Sequence, residues 1–96
     1  MLSQTKISLT GYIDVPVSRL AEVEAALPEH IHLTRLEPGC LSFDVTLDPV
    51  HKGRFQVAEL FASRADFDQH QKRAQSSNWM RVTQGIPRRY SISEVD

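Results

Sequence analysis

Ninety-six residues with 11 basic and 12 acidic side chains carry a net charge near zero, which gives neither nucleic acid nor an anionic membrane surface a handle. A chain of this length makes one domain, residues 1–96, and buries roughly 65% of its unfolded surface, so self-association would help it. The lone Cys40 rules out an intramolecular disulfide and a cysteine-based metal cluster; with no apolar run near the ~20 residues of a membrane span and no signal-peptide core after Met1, a soluble cytoplasmic protein is expected.

Ile7, Leu9, Gly11, Ile13 and Val15 alternate with polar residues and Tyr12 as a first strand. Gly11 is weak inside a strand and predicts a bulge or a close approach by another group. Pro16 ends the strand. Val17, Leu20, Val23, Leu27 and Ile31 then recur at spacings of three and four, the apolar stripe of a helix. Pro28 interrupts that stripe and predicts a kink, or a fresh helix starting there.

Glu37 to Phe61 reads as a hairpin. Leu41, Phe43, Val45 and Leu47 alternate with Ser42, Asp44 and Thr46. Asp48, Pro49 and Gly53 supply turn chemistry. Phe55, Val57 and Phe61 carry the alternation back, but Glu59 falls on their face. A carboxylate there must be bonded, paired or wetted by a cavity. It is either a structural carboxylate or the lining of a pocket.

Ser63 and Asp66 form a capping-box pattern for a helix with Phe67, His70 and Ala74 inward. Ser76, Ser77 and Asn78 break it and offer a second N-cap. A short helix follows with Trp79, Val82 and Thr83 inward, stopped by Gly85. Ile86, Arg88, Tyr90 and Ile92 alternate as the last strand. The order is β-α-β-β-α-β, an α+β ferredoxin-like fold with a four-stranded antiparallel sheet.

Several side chains here could carry chemistry. His70 titrates in the neutral range and lies on the inward helix face; its plainer role is a helix histidine bonded to Glu59 or to a backbone carbonyl. Phe61, Phe67 and Trp79 could wall a cavity for a planar ring, or simply be core. Arg81 could reach a phenolate oxygen, or be a solvated surface arginine. Tyr12 and Cys40 could line the cavity mouth. The four histidines show no His-x-x-x-His spacing, so no metal site is expected. No serine-hydrolase elbow and no phosphate or dinucleotide loop is present.

Glu37-Pro38-Gly39-Cys40-Leu41, Phe43, Val45, Asp48-Pro49, Arg54-Phe55, Glu59, Phe61, Phe67, His70 and Trp79 together resemble the antibiotic biosynthesis monooxygenase family of dimeric α/β barrel proteins. The resemblance implies a homodimer packed through its outer sheet faces, and a site between sheet and helices. It also implies oxygenation of a quinol-like or aromatic small molecule without a cofactor. His70 would then accept a proton and Arg81 steady the anion, with Glu59, Phe61, Phe67, Trp79, Val57 and Tyr12 around the substrate. Outward Ser8, Ser42, Asp44, Thr46 and Gln56 are polar, so the sequence supports that dimer only through Ala58, Leu60 and Tyr12. Polyketide-oxidising members place Asn, Trp, Tyr and Arg around the ring, where this chain has Val57, Phe61, Phe67 and Arg81. Haem-degrading members need an Asn on the first strand, a Trp at Phe61 and a His near Thr83, so haem degradation is not expected. The alternatives are a non-catalytic binding or interaction module of the same fold, and an isomerase of a small ketone.

Overall fold

A computed structural model describes residues 5–96. The elements run β1 (Lys6–Asp14), α1 (Val17–Arg35), β2 (Cys40–Leu47), β3 (Arg54–Phe61), α2 (Arg64–Ala74), α3 (Asn78–Val82) and β4 (Arg89–Val95). The strands form one sheet in the order β2-β3-β1-β4, and every neighbouring pair is antiparallel. This is the ferredoxin-like arrangement expected from the sequence.

The alternation sorts the sheet into two faces. Ile7, Leu9, Ile13, Phe43, Val45, Phe55, Val57 and Phe61 are buried with Val23, Ala26, Phe67, Trp79, Val82 and Ile86 of the helical layer and the segment after it. Ser42, Asp44, Thr46, Gln56 and Ala58 on the other face are exposed. Glu59 is on the buried side, opposite Leu9 of β1 and Phe43 of β2. Gly11 is explained by β4: a Cβ there would fall 2.1 Å from the Arg89 carbonyl oxygen and 2.8 Å from the Tyr90 ring.

Both expected caps form. Asp66 N–H donates to Ser63 Oγ, and Met80 N–H donates to Ser77 Oγ, each at 3.1 Å. Arg19 of α1 donates to the carbonyls of Val82 and Gln84, so a cation sits at the negative end of α3 and ties it to α1.

Four local expectations change. α1 runs unbroken through Pro28. Pro28 and Glu24, four residues before it, are both exposed, so water is at hand for the carbonyl that proline cannot bond. The buried line of α1 is Val23, Ala26, His30 and Thr34; Leu20, Leu27 and Ile31 are only partly buried and Val17 is exposed. Leu41 is half exposed because the register slips between Cys40 and Ser42, and one extra residue there upsets the alternation. β4 begins at Arg89, since Arg88 turns back to donate to the Thr83 and Ile86 carbonyls.

Candidate functional site

Two acid–base side chains meet under α2. β3 carries Glu59 on its buried face, and α2 lays His70 over it, with Nε2 3.8 Å from Glu59 Oε1. The sequence places them so because period two turns Glu59 inward with Val57 and Phe61, while helical spacing turns His70 inward with Phe67 and Ala74. The Phe61 ring stacks on the imidazole at 4.8 Å between centroids, and Phe43 meets it edge-on at 5.7 Å.

The other ring nitrogen faces a second carboxylate. His70 Nδ1 lies 3.0 Å from Glu37 Oε1 and 3.3 Å from Oε2. Arg73, one turn along α2, donates through Nε to Glu37 Oε2 at 2.5 Å and through Nη2 to Thr34 Oγ1 at 3.0 Å. His30 of α1 completes the cluster: it stacks on Trp79 and stands 6.2 Å from the His70 ring centroid.

Burial governs how these groups titrate. Glu59 is pushed up to about 7, first by desolvation and then by the nearby Glu37 charge. His30 is held down to about 3 by desolvation, with His70, Arg73 and Arg88 adding to it. Desolvation also lowers His70, against the pull of Glu37 toward the charged form. Both histidines are therefore neutral at pH 7. Among the described residues, two buried side-chain atoms lack a hydrogen-bond partner, Glu59 Oε1 and His30 Nδ1. Each would ordinarily cost about 1–3 kcal/mol of lost solvation.

The candidate residues divide into those the fold gathers and those it does not. His70 meets both Glu59 and Phe61, and Trp79 joins them through His30. Phe67 packs edge-on against Phe61, and Val57 lies on the same buried face. Tyr12 lies on the opposite sheet face under the Arg54 guanidinium, 3.8 Å from its ring centroid; as Ile13 and its alternates point inward, Tyr12 must point out. Arg81 is exposed and bonds Asn78 of its own helix. In a five-residue helix Trp79 and Val82 take the buried side, which leaves Arg81 outward.

The expected aromatic-walled hollow is filled. His70 is 3% exposed, Glu59 8% and Phe61 0%, so side chains, not open space, surround the pair. Clefts reach the cluster from two sides. One of about 330 Å³ is lined by His30, Trp79, Arg73, Leu33 and Asn78 among others. Another, of about 370 Å³, is lined by Glu37, Pro38, Gly39, Asp66, Gln69 and Arg73.

His30, Thr34, Glu37 and Arg73 were not singled out from the sequence as site residues. The signal for His30 and Thr34 was the 23-26-30-34 spacing, masked by the more apolar Leu20-Leu27-Ile31 line. Glu37 and Arg73 lie far apart in the chain, and only the packing of α2 against the turn after α1 joins them. Among the described residues, no three His, Cys, Asp or Glu side chains converge as a metal-ligand set, and no helix is long and apolar enough to cross a membrane.

No curated protein matches this sequence. A candidate antibiotic biosynthesis monooxygenase of Nitrosomonas europaea superposes with a TM-score of 0.79 at 20% identity, over 97% of this chain and 91% of its own. A conserved protein of Bacteroides thetaiotaomicron of unknown function gives 0.77 at 16% identity, over 96% and 97%. A candidate monooxygenase of the same kind from Caulobacter crescentus gives 0.71 at 21% identity, over 97% and 90%. At these identities the likeness establishes the fold. The family model for antibiotic biosynthesis monooxygenase matches residues 7–82, most of the length, and the chain belongs to that family.

Proposed function

We propose that the protein is a homodimeric oxygenase that needs no cofactor and acts on a quinol-like or aromatic small molecule, with His70 as the proton acceptor. The observation that carries this reading is the buried, neutral imidazole set 3.8 Å from a carboxyl group that is itself raised to about 7. A carboxyl raised to about 7 beside an imidazole lowered by burial can pass a proton without either holding a costly buried charge.

At an activated ring carbon bearing two hydrogens, as in the keto tautomer of a quinol, His70 takes one proton. The carbanion passes an electron to O₂, and the radical pair closes a carbon–oxygen bond. The peroxide oxygen regains a proton from His70, and loss of water leaves a carbonyl. One O₂ is consumed, the carbon is oxidised, and one water is released. The residues' contribution is to favour the anion and keep bulk water away. Phe43, Phe61 and Trp79 supply the apolar surroundings. Since the pair is walled in and the adjoining cleft is lined by His30, Arg73 and Trp79, the substrate reaches His70 by displacing the His30–Trp79 stack. Arg81 bonds Asn78 of its own helix, outside this cluster, so it does not steady the anion.

Oxygen uptake with a panel of quinols tests the reading. Uptake by the wild type that is lost in His70→Ala supports it; equal uptake in both removes His70 from the chemistry.

The filled space around His70 favours a second reading, a non-catalytic binding module of the same fold. Wild-type protein that binds quinols and consumes no oxygen would place it there.

A further inference from the structure

His70 is gripped at one nitrogen and, among the described residues, free at the other. Nδ1 is within hydrogen-bond distance of both Glu37 oxygens, whereas Nε2 stands 3.8 Å from Glu59, beyond that range. Glu37 belongs to neither element of the acid–base pair. It comes from the turn between α1 and β2, and its carboxylate is itself aimed by Arg73, which Thr34 holds in turn.

We propose that Glu37 is the positioning residue of the site: it accepts the Nδ1 proton of His70 and so leaves Nε2 as the bare, basic nitrogen facing Glu59. The statement about the tautomer stands on the geometry alone; its consequence for turnover rests on the proposed oxygenase.

A neutral imidazole has one N–H, and the hydrogen bond at one nitrogen decides which carries it. The charged and titratable groups facing the ring are Glu37 from the turn, Arg73 from α2, Glu59 from β3 and His30 from α1. Only Glu37 is both an acceptor and in contact. Arg73 donates to the same carboxylate and offers the ring nothing to accept a proton. Glu59, when protonated, is a donor, and the lone pair it meets at Nε2 is the one this tautomer provides.

A carboxamide at position 37 should reverse the arrangement. Its oxygen will turn to the Arg73 donor, which puts its NH₂ against Nδ1. The proton must then move to Nε2, and the basic lone pair points away from Glu59.

Nitrogen-15 NMR of the full chain at pH 7.5 reads this directly. The expected wild-type pattern is a protonated Nδ1 and a bare Nε2 at His70; the opposite pattern overturns the proposal and requires no variant that might misfold. Glu37→Gln should switch the pattern and lower kcat about 100-fold with KM within about twofold. Glu37→Asp should keep Nδ1 protonated and restore most of the rate. An unchanged tautomer in Glu37→Gln overturns the assignment, and a switched tautomer with an unchanged kcat overturns its consequence for turnover. A wild type that oxidises no quinol but shows the expected tautomer removes the oxygenase reading and leaves Glu37 in its role.

Discussion

His30 lies flat on Trp79, with ring centroids 5.1 Å apart and planes within 5°. The stack joins α1 to α3 and covers the inner side of His70. It also buries an imidazole whose Nδ1 bonds no described residue. The position accepts a polar ring for its shape and is penalised for its polarity.

That penalty depends on pH. His30 falls from an unfolded 6.5 to about 3 in the fold. A group with a lowered folded value contributes its stability above the unfolded value and loses it as pH drops. The wild type should therefore weaken steadily between about pH 6.5 and 3, as the unfolded chain takes up a proton that the fold refuses. His30→Phe keeps the stack and removes both the proton site and the orphaned nitrogen. Urea melts should show a gain on the order of 1 kcal/mol at pH 7 and a flatter acid limb. An acid limb as steep as the wild type's would mean His30 is not its source.

Glu59 runs the other way. Its value rises from 4.5 unfolded to about 7 folded. Stability from a raised carboxyl is complete below the unfolded value and is lost as pH climbs through the folded one. Glu59→Gln has nothing to ionise, so its stability relative to wild type should grow between about pH 4.5 and 8, by up to about 3 kcal/mol. Chemical denaturation at pH 4.5 and 8 measures the difference. A difference that stays constant would show that Glu59 is not held above its ordinary value.

Gly11 lets β4 close on β1. Its φ is 155°, and a Cβ added there would fall within 2.1 Å of the Arg89 carbonyl oxygen, which leaves no room for a methyl group. Gly11→Ala should cost about 1–3 kcal/mol through displaced packing. Hydrogen exchange should quicken first along Arg89–Val95, the edge strand that must move. Faster exchange confined to β2 instead would contradict this account.

Ser77 supplies the side-chain cap of α3, a helix of only five residues that carries Trp79. Ser77→Ala should lower stability by about 1 kcal/mol. It should also change the Trp79 fluorescence, because a loosened α3 lets the indole slide from His30. Unaltered emission with lowered stability would separate the cap from the stack.

The fold was legible because its signals are local. Alternation in β1, β2 and β3, the Ser63 and Ser77 caps and the stop at Gly85 each depend on residues a few positions apart. The inward turn of Glu59 and of His70 was readable for the same reason, and so was the polar outer face. Where the sequence misled, longer-range forces had the last word. The single-residue slip after Cys40 exposes Leu41 against its alternation. A rotation of α1 buries His30 and Thr34 ahead of the more apolar Leu20 and Leu27.

Taken by itself, the order of residues determined the elements, the family resemblance and the two side chains that meet under α2. Tertiary packing alone decided that Glu37 and Arg73 join them and that Arg81 and Tyr12 do not. It also decided that Phe43 and His30 close the space expected for an aromatic substrate. The physical reason is reach: periodicity tells which way a side chain points, whereas neighbours 33 and 36 residues away, as Glu37 is from His70 and Arg73, are chosen by how α2 settles on the sheet.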